Sequence, residues 1–175
     1  MYKTILFDLD GTLTDSKEGI INSLIHTLNH FGLPIPAEEA DLLSFIGPPL
    51  YDSFTTRYQF TPFQCNEVLA VYREHYRGIG VYQNKLYPGV ESMLTVLQEH
   101  GCRMGLATAK GDWTANKVVD DFKLRPYISD VFASVPEKNR NYKHEIIAHA
   151  LQEMDGAAAK ETIMVGDRAS DIHGA

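Results

Sequence analysis

The spacing of hydrophobic residues changes twice along the chain, near residue 15 and near residue 87. The segment Tyr2–Leu9 is apolar and alternating and breaks at Gly11, which predicts a β-strand ending in a turn. Between residues 15 and 82, apolar residues recur at helical spacing, which predicts helices and no strands. Beyond Tyr87-Pro88-Gly89, short apolar runs alternate with amphipathic stretches, which predicts alternating helices and strands.

Three short strands are predicted in the second half of the chain, over Cys102–Ala107, Ile128–Ala133 and Thr162–Val165. Helices alternate with these strands, and this order favours a parallel sheet covered by helices on both faces. The predicted fold class is therefore α/β, with a Rossmann-like parallel sheet as the core and an inserted all-helical cap. Residues 1–14 and 83–175 are assigned to the core, and residues 15–82 to the cap.

Residue types also predict local features of the helices. Asp15 and Glu18 resemble a capping box at the start of the first cap helix. Four aromatic residues at helical spacing are expected in the core rather than in a ligand site: Phe31, Phe54, Tyr72 and Trp113.

Carboxylates follow the first and the last predicted strand. Asp8 and Asp10 are two residues apart at a strand end, so both side chains can leave one face. Asp167 and Asp171 are four apart, one turn of a helix, and can face the same point. In open parallel sheets, sites form beyond the carboxyl ends of the strands, so the four groups are expected to converge. Carboxylates this close repel one another unless a cation lies among them. A ligand set made only of oxygen atoms selects a hard cation, and Mg²⁺ suits a site that also holds a phosphate.

Each of these signals also has a plainer interpretation. An isolated Asp-x-Asp-Gly is usually a turn, and a calcium loop is disfavoured because Leu13 and Gly19 stand where Gly and Glu are required. The Gly-Asp after the last strand, and Thr108, can each be a helix N-cap. Lys143 alone is typical of a solvated lysine at a helix start. Together these residues favour a site, because all of them fall in order at strand ends or at the helix start before the last strand.

Composition narrows the function classes. The 175 residues include 16 Lys and Arg against 23 Asp and Glu, a net charge of −7, which disfavours nucleic-acid binding through phosphates. No signal peptide or membrane span is visible. The two cysteines, Cys65 and Cys102, match no metal-ligand or redox spacing. We therefore expect a soluble cytoplasmic protein that binds neither nucleic acid nor membrane.

Four motifs together resemble the haloacid dehalogenase-like hydrolase superfamily, and within it the phosphoglycolate-phosphatase-like branch. Asp8-Leu9-Asp10-Gly11-Thr12-Leu13 resembles the first motif, and Thr108 in Leu106-Ala107-Thr108-Ala109-Lys110 the second. Lys143 resembles the third motif, ahead of Lys138 and Arg140 because of its spacing to Ile146-Ile147. Gly166-Asp167-Arg168-Ala169-Ser170-Asp171 resembles the fourth. The helical insertion stands where this branch has a small helical cap.

The resemblance implies a role for each site residue. Asp8 would attack phosphorus to give an aspartyl-phosphate, and Asp10 would act as general acid and base. Lys143 would neutralise the phosphoryl charge and steady Asp8. The phosphate-binding set implied is Asp8, Gly11, Thr108, the amide of Ala109, and Lys143. The Mg²⁺ set implied is Asp8, the backbone carbonyl of Asp10, Asp167 and Asp171.

The function expected is a Mg²⁺-dependent phosphatase acting on a small phosphorylated metabolite such as phosphoglycolate, as a monomer or homodimer. A 5′-nucleotidase or a sugar-phosphate mutase of the same fold is the alternative among enzymes. A truncated non-catalytic binding protein is the alternative outside them, because family members usually continue for several tens of residues past the fourth motif. A missing strand and helix would expose apolar surface and sheet backbone. A receiver-type signalling domain is disfavoured by Asp10-Gly11-Thr12 and by the helical insertion.

Overall fold

The computed structural model describes residues 2–138, 140–154 and 157–174, and the chain forms two compact units. The first unit runs to Asp15 and resumes at Leu86; the second unit is Ser16–Lys85. The chain therefore returns to the first unit at Leu86 rather than at residue 83. The ends of the predicted core, Met1 and Ala175, lie outside the described residues.

Six strands are present in the described residues: β1 (Thr4–Phe7), β2 (Thr14–Asp15), β3 (Lys85–Leu86), β4 (Arg103–Gly111), β5 (Ile128–Ser134) and β6 (Thr162–Val165). The main sheet has the order β5-β4-β1-β6, and all its pairings are parallel. The predicted α/β fold with a parallel sheet is thus confirmed. The strands β2 and β3 form a separate two-stranded sheet, which the helical spacing of this region did not predict.

The helices of the first unit alternate with its strands: α5 (Val90–Glu99), α6 (Asp112–Asp121), α7 (Lys143–Glu153) and α8 (Ala169–Gly174). The central strand β1 is buried along its whole length, as expected for a parallel strand covered on both faces. Its Leu6 joins a core cluster with Ala107 of β4 and with the apolar face of α7, which includes Ile146 and Ala150. This packing fixes the start of α7 near the ends of β1 and β4.

The second unit contains four helices among the described residues: α1 (Lys17–His30), α2 (Glu39–Leu43), α3 (Leu50–Tyr58) and α4 (Pro62–Gly78). The predicted capping box at Asp15 and Glu18 is wrong, because Asp15 ends β2, and the N-cap of α1 is Ser16, without a side-chain cap. A true capping box begins α4, where Thr61 and Gln64 bond reciprocally ahead of a proline at the first helical position.

The aromatic residues divide between core and surface. Phe54 and Tyr72 are buried, as expected, whereas Trp113 and Phe31 are 48% and 38% exposed, so the expectation of a core position is wrong for these two. Trp113 lies in the first turn of α6, and Phe31 is the C-cap of α1. Helical spacing fixes the face on which a residue lies, but it does not say whether another element covers the end of that helix.

Apolar side chains are exposed on the last elements of the described chain. Ile163 and Val165 of the edge strand β6 are each 36% exposed, and Ile172 of α8 is 77% exposed. No helix within the described ranges has the length and apolar character to cross a membrane.

Candidate active site

The site residues lie at the carboxyl ends of β1 and β6 and at the start of α7 and α8. Asp8 directly follows β1, and its backbone N–H donates a hydrogen bond of 2.9 Å to the carbonyl of Val165, the last residue of β6. Phe7 pairs with both Val165 and Leu106 in the sheet. The register therefore brings the end of β1 beside the residues that follow Leu106 and Val165.

Three carboxylates form an acidic group. One oxygen each of Asp8, Asp167 and Asp171 lies within 4.8 Å of the others, a spacing that could hold a metal ion. The reason predicted for this proximity is wrong, because Asp167 precedes α8 and does not share a helical turn with Asp171. Instead, the backbone N–H of Arg168 donates to Oδ2 of Asp171 at 2.9 Å, which holds the loop against the first turn of α8.

Lys143 connects two members of the acidic group. Its Nζ lies 2.8 Å from Oδ1 of Asp8 and 2.8 Å from Oδ1 of Asp171, and it donates to the carbonyl of Ala107 at 2.9 Å. The side chain is 4% exposed, which excludes the solvated lysine considered from the sequence. Lys138, the neighbouring alternative for the third motif, is exposed.

Electrostatics at Asp8 are set by burial and by its charged neighbours. Burial is the largest influence and raises the pKa of the Asp8 carboxyl above its ordinary value, while the Lys143 ammonium acts in the opposite direction. The charges of Asp10 and Asp171 raise the pKa further. Despite its ion pair with Lys143, the Asp8 carboxyl therefore holds a proton more readily than a solvated aspartate does.

The donor atoms fit a hard cation. Oδ1 of Asp8 and Oδ1 of Asp171 are buried and share one cation, because each lies 2.8 Å from Nζ of Lys143. Two buried carboxylates that share a single ammonium keep a net negative charge, which a further cation would offset. The acidic group consists of oxygen donors, which suits a metal ion of the magnesium and calcium type.

Asp10 faces a different partner. Both oxygens of its carboxylate accept from Nζ of Lys110, at 3.0 and 2.9 Å, and they are not among the clustered oxygens of the acidic group. In the sequence Lys110 stands within the second motif, but no role was predicted for it. The available signal was alternation, because Lys110 lies two residues after Thr108, and residues two apart in a regular strand share one face.

Thr108 lies within β4 and is 1% exposed. Its Oγ1 accepts from the backbone N–H of Lys110 at 3.2 Å, and the following helix α6 has Gly111 as its N-cap, so the helix-cap interpretation of Thr108 is wrong. The strand loses regular pairing between Thr108 and Gly111, which includes the partly buried Ala109.

Gly11 approaches Asp167 at a position where a side chain does not fit. Its φ is +85°, in the left-handed region that favours glycine, and a Cβ there would overlap the Asp167 carboxylate. The absence of a side chain at Gly11 therefore makes room for the Asp167 carboxylate.

Comparisons with known proteins find matches that cover nearly the whole chain. The family model described as haloacid dehalogenase-like hydrolase matches residues 5–175. The chain is 37% identical over 174 residues to a protein named 5′-nucleotidase from Pseudomonas aeruginosa, covering 99% of this chain and 78% of that protein. It is 36% identical over 172 residues to the tyrosine-protein kinase PtkA of Mycobacterium tuberculosis, covering 98% of this chain and 57% of that protein.

A solved structure shows the same fold at comparable identity. The crystal structure of a predicted phosphatase from Clostridium acetobutylicum superposes with a TM-score of 0.93 and is 33% identical, covering 99% of this chain and 80% of that one. The family model spans the acidic group, Lys143 and the helical insertion alike. This chain therefore belongs to the haloacid dehalogenase-like hydrolase family and is an enzyme of that family.

Proposed function

We propose that this chain is a Mg²⁺-dependent phosphatase that hydrolyses a small phosphomonoester with Asp8 as the nucleophile. The observation that carries the proposal is the buried Asp8 carboxylate, grouped with Asp167 and Asp171 and held by Lys143 at 2.8 Å. A phosphoric monoester hydrolase is also supported by family membership and by the 5′-nucleotidase relative.

Asp8 carries the covalent chemistry in this proposal. Its carboxylate oxygen attacks phosphorus, the bond from phosphorus to the alcohol oxygen breaks, and an aspartyl-phosphate remains. Water then attacks phosphorus, the Asp8–phosphate bond breaks, and inorganic phosphate leaves. The hydrogen bond from Asp8 N–H to Val165 fixes the backbone, and Lys143 fixes the side chain, so the nucleophile is positioned before substrate arrives.

Asp8, Asp167 and Asp171 would hold Mg²⁺, with the backbone carbonyl of Asp10 as a further ligand. When bound, the ion would offset the repulsion between an anionic nucleophile and an anionic phosphate. Lys143 adds a second positive charge on the protein side of the phosphoryl group.

Asp10 moves the protons. It would protonate the leaving alcohol and then accept a proton from the attacking water. Thr108, the Ala109 amide and Gly11 would bind the phosphoryl oxygens. Because Oγ1 of Thr108 already accepts from Lys110 N–H, its hydroxyl proton is the part that remains to donate to a phosphate oxygen.

The proposal also names a class of substrate. We propose a small phosphorylated metabolite of the phosphoglycolate kind, with residues 16–85 serving as a substrate-selecting cap. The similarity to a 5′-nucleotidase favours nucleoside 5′-monophosphates as the second candidate class. Proteins named pyrophosphatase PpaX, 36% identical over 174 residues in one case, add pyrophosphate to the compounds worth testing.

Phosphate release from a panel of compounds tests the proposal. The panel holds p-nitrophenyl phosphate, phosphoglycolate, nucleoside 5′-monophosphates, hexose phosphates and pyrophosphate, each with Mg²⁺ or with EDTA. Wild type is compared with Asp8→Asn, and Asp121→Asn is the matched control because Asp121 pairs with Lys117 outside the site. Release that needs Mg²⁺ and is lost only in Asp8→Asn is expected. Release that persists in Asp8→Asn, or no release from folded wild type, would contradict the proposal.

A further inference from the structure

The second unit contains an open surface groove of about 340 Å³ along α1 and α4. Its polar lining comes from His26 and His30 of α1 and from Glu74 and His75 of α4. Val71 and Ile79 supply apolar surface beside them. Three imidazoles and a carboxylate thus line one groove, within a single compact unit that holds none of the proposed catalytic residues.

The proton on His75 is placed by its neighbour. The Oγ of Ser23 donates its only proton to the carbonyl of Gly19 at 2.8 Å. The same Oγ lies 3.0 Å from Nδ1 of His75, so Nδ1 must be the donor in that contact. The tautomer with hydrogen on Nδ1 leaves a lone pair on Nε2.

This arrangement is the one that metal-binding histidines usually have. A ligating imidazole donates its second N–H to an oxygen of the protein, which fixes the ring and keeps the other nitrogen as the ligand.

The spacing of the two histidines of α1 allows both side chains to bind one metal ion. His26 and His30 are four residues apart and therefore lie on one face of the helix, a spacing that binds zinc in known sites. The ring of His26 stacks on His75 with centroids 4.1 Å apart. Glu74 adds an oxygen donor next to His75 on α4.

We propose that α1 and α4 form a binding site for a divalent transition-metal ion of the zinc type, with His26, His30 and His75 as nitrogen ligands and Glu74 as an oxygen ligand. Imidazole donors select zinc, copper or nickel, whereas the oxygen donors of the acidic group select hard ions. The two sites therefore differ in the metal that they prefer.

Side-chain rotation assembles this site. Within the described ranges, only the acidic group has ligand atoms already within 4.8 Å of one another. His26 and His30 are exposed, and exposed side chains change rotamer rapidly, so both can turn toward the fixed Nε2 of His75. A bound ion then links α1 to α4 and stabilises the second unit by mass action.

Zinc binding to the full chain tests this proposal without measuring phosphate release, so its outcome is independent of the proposed function. Calorimetric titration with Zn²⁺ is performed both with and without excess Mg²⁺, so that Zn²⁺ bound at the acidic group is recognised by its competition with Mg²⁺. Wild type is compared with His26→Ala, His30→Ala and the control His100→Ala, an exposed histidine of the first unit. Thermal unfolding without metal checks that each variant is folded.

We expect Zn²⁺ affinity to fall roughly tenfold or more in His26→Ala and His30→Ala and to be unchanged in His100→Ala. Ser23→Ala, which removes the acceptor of the His75 N–H, should weaken Zn²⁺ binding about tenfold. Co²⁺ bound to wild type should show the strong visible absorption of a low-coordinate nitrogen and oxygen site. Equal Zn²⁺ affinity in wild type and His26→Ala, or no binding by wild type, would overturn the proposal.

Discussion

The Lys110 ammonium holds both oxygens of the Asp10 carboxylate, at 2.9 and 3.0 Å, with the two side chains 6% and 17% exposed. The residues are 100 positions apart in the sequence and meet because β1 and β4 are parallel neighbours in the sheet. An ion pair with two hydrogen bonds fixes the direction of a carboxylate as well as its charge. Lys110 is therefore placed to orient the residue proposed as general acid and base.

Lys110→Met should reduce kcat and leave KM nearly unchanged. Without the ion pair, Asp10 loses its orientation, and a misplacement of about 1 Å can cost on the order of 100-fold in rate. Lys110→Arg, which keeps a cation with two donors, should recover part of the lost kcat. Steady-state kinetics on the best panel substrate measure both effects. Lys117→Met, which breaks a partly exposed ion pair with Asp121, is the control; equal losses in both methionine variants would argue against an orienting role.

Lys143→Met should destabilise the metal-free protein more than it destabilises the Mg²⁺-loaded protein. Removing the cation leaves two buried carboxylates, Asp8 and Asp171, without their ion-pair partner, at a cost of about 3 kcal/mol in the free energy of unfolding. A divalent ion at the same oxygens would offset part of that cost. Urea unfolding with Mg²⁺ and with EDTA measures the difference. An equal loss in the two conditions would mean that the ion does not bind at these carboxylates.

Gly11→Ala should impair catalysis beyond its effect on stability. Its Cβ would displace the Asp167 carboxylate, so the Mg²⁺ concentration needed for half-maximal activity should rise. Gly32→Ala is the matched control, because Gly32 also has a positive φ, +61°, but no atom within 4 Å of the added Cβ. Both variants should lose about 1 kcal/mol of unfolding free energy from backbone strain. If Gly32→Ala changed the Mg²⁺ requirement as much as Gly11→Ala did, strain alone would explain the effect.

Glu145→Gln should lower stability at neutral pH and have no effect in strong acid. The backbone N–H groups of Tyr142 and Asn141 donate to Oε2 of Glu145 at 2.9 and 2.8 Å, and they hold the pKa of its carboxyl below the ordinary 4.5. Because the folded pKa is lowered, the stabilisation is present above the unfolded pKa and is lost as pH falls through the folded one. The charge at this helix start should contribute roughly 0.5 kcal/mol.

Urea unfolding of wild type and Glu145→Gln across the acid range measures this dependence. Glu67→Gln, an exposed residue within α4, is the control. A stability difference between wild type and Glu145→Gln that grew toward low pH would contradict a lowered pKa of the Glu145 carboxyl in the folded protein.

The sheet was predictable from sequence because its signal is local. Apolar runs such as Thr162–Val165 alternate with amphipathic helices, and parallel strands place their carboxyl ends at one edge. Asp8, Asp167 and Lys143 could therefore be selected from their order along the chain. The short strands β2 and β3 carry only two residues each, too few for periodicity to detect.

Contacts between distant side chains were not predictable in the same way. The Lys110–Asp10 pair depends on strand register, and the meeting of Asp167 with Asp171 depends on a loop hydrogen bond from Arg168. The stacking of His26 on His75 depends on how α1 packs against α4. Each follows from tertiary packing, which a single sequence does not specify at the level of side-chain contacts.

Asp8 becomes phosphorylated during turnover in the proposed mechanism, and trapping the phosphorylated protein tests that mechanism most directly. Wild type is mixed with its best panel substrate and Mg²⁺, quenched in acid within the first turnover, and digested for mass spectrometry. We expect one phosphoryl group on the peptide that contains Asp8, its loss on treatment with hydroxylamine, and its absence in Asp8→Asn. Turnover by wild type with a phosphoryl group found only on another residue would contradict the assignment of Asp8 as the nucleophile.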